Sequence, residues 1–506
     1  MLKNNIQNRF LVELIYLAVA LSVAVQFFGS LVCLSNGSYD SCKVLFFNLY
    51  IAWALLVCYT IFHNFYGDFL LFTFYICFFI FLMGQKVFYY IDEGVFYETY
   101  TFVLMKMTPS QYVLFNNLIY IALVGSFVGY VCWRKMPKQV VTTSPTPKER
   151  VNDANEIFIL RLLVYVTFAM SMVMNLMIIK AKTDEGYLGG YLINVDIPNI
   201  LKIGNYLFLG FALLFLAKKT SKLDMWIVMA MFFIIQGGMN LLAGRRIMFV
   251  QTVLFFIWYV IMYKKYYLKR LKLRYLVLLV AFGVAMMLFL YFIEAVRENK
   301  ENTNGIWGVL KKFMTSTGGS DSVIANTIDK KEYFSKSPLV YFFAPLVETF
   351  TANPVIRKAG EFFGLPPYVA YPQGLEHLAQ TNSFSHWISY IVSPDLYLKG
   401  HGMGTSYIAE LWFAFGVGGV LVASLLLGVI VKQISRLDKS DNMYKNALKM
   451  FFAYQLLSLP RSSTLGWTSG LLYVGISFAI FKCLSWLFTY SKTALQIEKV
   501  EYERGK

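Results

Sequence analysis

The chain has 506 residues, 58% of them hydrophobic and 18% aromatic, with only 15% charged, which excludes an ordinary soluble globule and a disordered chain and leaves a polytopic membrane protein. Its net charge of +17 comes from 46 Lys and Arg against 29 Asp and Glu. Most of these bases sit in short loops after apolar segments, where topology alone requires them, so no nucleic-acid partner is expected.

Apolar stretches of roughly 20 residues, the length a helix needs to cross a hydrocarbon core of about 30 Å, recur along the chain. They fall at residues 10–34, 44–62, 69–89, 112–133, 157–179, 200–217, 224–243, 247–263, 275–293, 405–431, 447–460 and 467–489. The expected fold is an all-α polytopic membrane protein with about twelve transmembrane helices. The first stretch is too long for a cleavable leader and lacks a small-residue cleavage site, so it is expected to stay as a helix. Cys33 and Cys42 flank the loop that follows, in a compartment where disulfides persist, and a bridge between them is left open. Cys58, Cys77, Cys132 and Cys483 read as small hydrophobes in or at the ends of apolar helices. His63, beside a short inner loop, reads as incidental.

Basic residues near helix ends are retained in the cytoplasm. Clusters at Arg134 to Arg150, Lys218 to Lys222, Lys264 to Arg274 and Lys432 to Lys445 mark alternate loops as inside. Lys3 and Arg9, and Lys492 to Lys506, put both termini there too. Three parts follow: helices one to nine over 1–293, a large external loop over 294–404, and helices ten to twelve with a cytoplasmic tail over 405–506. In the loop, residues 305–313 read as an amphipathic turn, and 338–347 are apolar yet too short to span. The loop is expected to lie on the membrane as a cap.

Two arginine turns fall on the expected external face, where the positive-inside rule makes arginine informative: Ala243-Gly244-Arg245-Arg246 and Pro460-Arg461-Ser462-Ser463. Arg297 and Arg357 complete the set. Guanidinium forks match phosphate oxygens in a bidentate way that lysine cannot, so a diphosphate ligand is one reading. The alternatives are helix ends snorkelling to headgroups, and ion pairs of Arg297 or Arg357 with Glu294, Glu298 or Glu361. His377, His386 and His401 all lie in the large loop. Near its end runs NSFSHWISYIVSPDLYLKG (382–400), then GMGTSYIAELWFAFGVGG (402–419), a glycine-rich turn leading into a helix.

In residues 381–420 the chain resembles Wzy-type O-antigen polysaccharide polymerases, with looser agreement elsewhere, including the Ala243–Arg246 turn. The resemblance implies a membrane-embedded, glycosyltransferase C-like enzyme of the bacterial inner membrane. It would join undecaprenyl-diphosphate-linked oligosaccharide repeat units, donor to acceptor, at the external face, and make O-antigen or capsule. Membrane lipids and a chain-length regulator would be its partners. Arg245, Arg246, Arg297, Arg357 and Arg461 would neutralise the leaving diphosphate. No carboxylate pair with metal-ligand spacing stands on the external side, so neither metal nor cofactor is expected. His386 or His401 would take the acceptor proton, with Glu410 as a carboxylate that could act or merely orient the loop. The sequence does not choose between them. A flippase or other transporter should show internal repeats and ionisable groups near the midplane, and neither is seen. An O-antigen ligase, which transfers finished polymer, is the other rival. The sugars, their linkage and the oligomeric state are not legible.

Overall fold

The computed structural model describes residues 2–100, 103–133, 147–218, 221–243, 245–263, 308, 311, 314–315, 319–351, 356, 360–364, 371, 373–437 and 442–504. The expected helix at 275–293, the basic loop at 264–274, most of the loop at 134–150, most of the turn at 305–313, Arg297 and Arg357 lie outside them.

Helix α1 (Leu2–Asn36) turns into α2 (Tyr39–Leu82) through a loop closed by a Cys33–Cys42 disulfide, Cα to Cα 5.1 Å. The 44 residues of α2 would reach about 66 Å if straight, twice the hydrocarbon thickness. They form a hairpin instead. Asn64 leaves helical geometry at φ −163°, ψ 76°, and its Oδ1 accepts the Gly67 N–H at 3.1 Å. Trp53 Nε1 donates to Tyr75 O at 2.9 Å and the Tyr50 hydroxyl to Met83 O at 2.7 Å, so the two arms run antiparallel, as two separate apolar stretches predict. Then come α3 (Gly84–Glu93), the antiparallel pair β1 (Glu98–Tyr100) and β2 (Leu104–Lys106), and α4 (Pro109–Cys132). Thr108 and Gln111 form a reciprocal capping box at the start of α4, and Pro109, with no N–H to waste, opens its first turn.

The chain continues through α5 (Pro147–Asp196), α6 (Asn199–Ala217), α7 (Lys222–Phe232), a π-helical turn at Phe233–Met239, α8 (Asn240–Leu242) and α9 (Arg246–Tyr263). Beyond residue 318 lie α10 (Ser320–Lys330), α11 (Pro338–Thr351), α12 (Leu375–Gln380), α13 (Phe384–Val392), α14 (Pro394–Leu398), α15 (Tyr407–Ile434), α16 (Met443–Leu456) and α17 (Thr468–Arg504). Among the described residues, eight helices are long and apolar enough to cross a membrane, the α2 hairpin counted as one. Ile247–Met262 and Pro338–Thr351 are apolar but shorter.

Lipid tails are as apolar as leucine, so close packing and buried hydrogen bonds, rather than the hydrophobic effect, must hold these helices together. Both are present. Ser22 and Gln26 of α1 bond Asn48 of α2 and Tyr120, Asn116 and Asn117 of α4 at 2.7 to 2.9 Å, each such bond contributing roughly 0.6 kcal/mol in a membrane. Gly125 and Gly129 of α4 face Ser424 and Gly428 of α15, and a Cβ on Gly129 or Gly428 would overlap the other helix's backbone carbonyl. Four-residue spacing of small residues is what lets two backbones approach so closely. One apolar run predicted as a single helix is interrupted. Gly416 sits at φ 67°, ψ −164°, and breaks α15 one-third of the way along; glycine tolerates that backbone without strain.

The bridge between Cys33 and Cys42 marks one end of the bundle, the disulfide end, and the Asn64 turn marks the opposite end. Helix α10 docks on the disulfide end. Its buried Asp321 pairs with buried Lys86 of α3 at 3.8 Å, Lys86 Nζ donates to Glu98 O at 3.1 Å, and Gln111 donates to Asp329 at 3.1 Å. Burial pushes the Asp321 carboxyl up and the Lys86 amine down, the partner charge opposing both shifts.

Candidate active site

The Ala243–Arg246 turn is built by the residues before it. Asn240 ties back to the π-helical turn through Nδ2 to Ile235 O at 3.0 Å, and its own carbonyl accepts the Arg245 N–H at 2.7 Å. A π-helical turn widens the helix locally and recurs at functional sites. Lys182 of α5 donates to Ala243 O at 2.7 Å, which adds a cation that sequence reasoning passed over. Arg245 is exposed. Arg246 begins α9, and its side chain is outside the description.

The second arginine turn lies at the same end. Gln251 Nε2 of α9 donates to Tyr454 O of α16 at 2.6 Å, and Thr252 meets the Tyr454 hydroxyl at 3.3 Å. Gln251 is five residues after Arg246 and Tyr454 seven before Arg461, about 7 and 10 Å along their axes at 1.5 Å per residue. Helix α9 leads away from its arginine turn and α16 leads toward the other, so the two turns stand at similar height. Leu459–Arg461 is a 3₁₀ turn opened by Pro460, and Arg461 is half-buried.

Glu410, in the first turn of α15, fastens this second turn to the histidine loop. Its carboxylate is buried and takes three bonds: the Thr405 hydroxyl at 2.8 Å on Oε1, and the Ser463 hydroxyl at 2.9 Å and the Thr464 N–H at 2.8 Å on Oε2. All three donors are neutral. With this capacity committed, Glu410 holds the residues that follow Arg461 against the residues that follow His401.

His386 and His401 belong to one cluster. His386 Nδ1 lies 3.1 Å from the Tyr397 hydroxyl, and its ring stands edge-on to His377 at 4.6 Å. Gln373 Nε2 bonds Tyr397 O and His401 O, both at 2.8 Å, tying the two histidine segments together. Burial, and next the neighbouring His377, pushes the His386 imidazole down to about 4. His377 is lowered too, by burial, with Glu348 opposing. His401 is exposed. Glu348, unmarked in the sequence because it ends an apolar run, accepts the Thr381 hydroxyl at 2.6 Å and lines a groove of about 620 Å³ under α11.

Of the expected site residues, Arg245, Arg461, Glu410, His386 and His401 are thus tied to the disulfide end, while Arg297 and Arg357 lie outside the described residues. Among those residues, no three His, Cys, Asp or Glu side chains gather as metal ligands.

A family model described as O-antigen polysaccharide polymerase Wzy matches residues 16–493. No curated protein and no solved structure matches the chain.

Proposed function

Since the chain belongs to the O-antigen polysaccharide polymerase Wzy family, a family of membrane enzymes of the glycosyltransferase type, we propose that it extends undecaprenyl-diphosphate-linked oligosaccharides at the external face of the inner membrane. The disulfide end is then external and both termini cytoplasmic, a reading that the basic loops support. A chain-length regulator is its expected partner.

In this reaction the acceptor hydroxyl attacks the anomeric carbon of the donor glycan, the bond from that carbon to the diphosphate oxygen breaks, and the lipid diphosphate leaves with the electron pair. Arg245, Arg246 and Arg461 neutralise the charge that develops there, with Arg297 and Arg357 as further members. No metal is required. His386 takes the acceptor proton. In the tautomer that donates Nδ1–H to Tyr397, the Nε2 lone pair is available, and burial keeps the ring neutral. A base so weakened gains strength when the anionic donor binds nearby, because an adjacent negative charge favours the imidazolium. His401 is the second candidate, on the exposed side of the same cluster. Glu410 is a positioning residue.

The observation that carries this reading is the Glu410 clamp, which joins the turn bearing Arg461 to the loop bearing the histidines. The test is reconstitution. Purified protein given undecaprenyl-diphosphate oligosaccharide should build a ladder of products one repeat apart, insensitive to EDTA, and His386→Ala should abolish it while donor binding persists. A single addition to a core acceptor would mean a ligase, movement without products a transporter, and loss with chelator would end metal independence.

A further inference from the structure

The groove under α11 lies outside the arginine and Glu410 arrangement, and its chemistry is different. One wall is apolar, formed by Leu339, Phe343 and Val347 at four-residue spacing along one face of the helix. The rim carries Glu348, Gln380 and Asn382. Thr381 occupies one carboxylate oxygen of Glu348, and the other has no partner among the described residues. Lys336 Nζ donates to Asn382 Oδ1 at 2.6 Å, which fixes that amide and leaves its N–H₂ to donate. The Gln380 side chain is exposed and bonds nothing among the described residues. No cation is among the lining residues, and the one carboxylate would repel phosphate. A ligand suited to such walls is uncharged, has a C–H face, and offers hydroxyls that both donate and accept. That describes a sugar. The volume of about 620 Å³ falls in the range of small-molecule sites.

Two contacts fix where the groove stands. Thr349, next to Glu348, meets Thr468 at 3.0 Å, and Thr468 follows Thr464 of the Glu410 clamp by four residues. On its other flank, Thr381, which donates its hydroxyl to Glu348, donates its N–H to His377 O at 2.9 Å, and His377 packs on His386. The groove therefore borders both the second arginine turn and the proposed base.

We propose that this groove is the subsite for the acceptor sugar, the residue whose hydroxyl attacks the donor, and that Glu348, Gln380 and Asn382 bind its hydroxyls. The donor sugar is tethered to its diphosphate, so it belongs beside the arginines. The acceptor's reactive end is remote from its own lipid diphosphate and fits a groove with no cation in its lining, Lys336 beside it being engaged by Asn382. This inference rests on the polymerase reading above.

The test uses full-length protein in phospholipid discs, free of sugar-headed detergent. The probe is a lipid-free, phosphate-free oligosaccharide one repeat long, cut from the polymer made by cells that carry this protein. Saturation-transfer NMR should mark this probe with wild type. Glu348→Gln and the groove-filling Val347→Trp should each weaken its binding and raise the acceptor KM by about tenfold or more, while inorganic pyrophosphate binds as before. Wild-type transfer and KM in both variants overturn the subsite. Displacement by a polyprenyl alcohol, with no transfer to the oligosaccharide, assigns the groove to a lipid chain and overturns it as well. Failure of the polymerase reading looks different: wild type builds no ladder, yet the groove still takes the oligosaccharide, which upholds sugar binding by the groove and overturns its acceptor role.

Discussion

Glu410 and Asp68 are buried carboxylates near opposite ends of the bundle, and they are satisfied by different means. At the disulfide end Glu410 takes two hydroxyls and one backbone N–H, all neutral. At the opposite end Asp68 takes the Tyr130 hydroxyl and His63 Nδ1, at 2.6 Å for the latter, within a basic surround. Lys432 Nζ lies 4.0 Å over the Tyr130 ring, Arg436 packs against Gly67, and Lys449 donates to Arg436 O at 3.2 Å. Helix α15 runs between the two, with Glu410 in its first turn, Lys432 in its last and Arg436 just beyond it. The difference teaches which end can accept an anion. A diphosphate arriving at Asp68 would compete for the cations that surround that carboxylate, whereas the Glu410 clamp draws on neutral donors alone and ties up no cation that an incoming anion would need.

The comparison breaks first on arginine. Exchange for lysine keeps the charge and loses the fork. Arg461→Lys, Arg245→Lys or Arg246→Lys should cut polymer formation in reconstituted membranes by about 100-fold in at least one case, the scale seen when one preorganised donor is removed, with expression and melting unchanged. Arg436→Lys should leave polymer near normal and lower the melting temperature slightly. Three near-normal variants at the disulfide end would remove the diphosphate role.

Next in size are the carboxylates themselves. Glu410→Gln replaces an acceptor-only group by an amide that must turn one N–H₂ toward donors, at a cost of about 1–3 kcal/mol if a buried partner is left unsatisfied. It should also lower activity, because the arginine turn and histidine loop lose their joint, and the loss should appear mainly in kcat. Asp68→Asn should destabilise to a similar degree without a matching kinetic defect. An equal fall in turnover for both would mean that neither end is specialised.

Much of this frame was legible in the sequence for a plain reason: a membrane helix declares itself by local composition. The stretch at 112–133 became Pro109–Cys132, and those at 44–62 and 69–89 became the two arms of α2. What the sequence hid was long-range or conformational. Asp68 meets Tyr130, 62 residues away, so His63 looked incidental from its neighbours alone. Glu348 ends an apolar run in a loop, and only packing makes it a groove wall. Gly416 opens a Gly-Val-Gly-Gly run, a local signal that the overall hydropathy of 405–431, which reads as one helix, outweighs. The small-residue pairs Gly125 with Gly129 and Ser424 with Gly428 did carry a signal, in their four-residue spacing, and passed unread.

That break sharpens the comparison in turn, because it lets the first turns of α15 be set by Glu410 independently of the last, held near Asp68. Gly416→Ala forces a Cβ into a backbone region that suits only glycine, costing about 1–3 kcal/mol. If the break decouples the ends, turnover should fall more than the melting temperature predicts, and Gly475→Ala in α17, with open space around it, should do neither. Equal behaviour of the two alanine variants would make the break incidental.

The smallest expected effect is on stability against pH, and it belongs to the disulfide end. Burial lowers His386 to about 4, and lowers His377 as well, from the ordinary histidine value of 6.5. Between about 4 and 6.5 the unfolded chain therefore binds more protons at these sites than the folded one. Stability rises with pH across that interval; the contribution is complete above 6.5 and is lost as pH falls toward 4. The protein in lipid discs should thus melt progressively lower as pH drops from 6.5 to 4, and His386→Gln should flatten the slope by removing its larger part. If His386→Gln leaves the slope unchanged, the pH-sensitive packing lies elsewhere, and the assignment of a neutral buried imidazole to the reacting end fails with it.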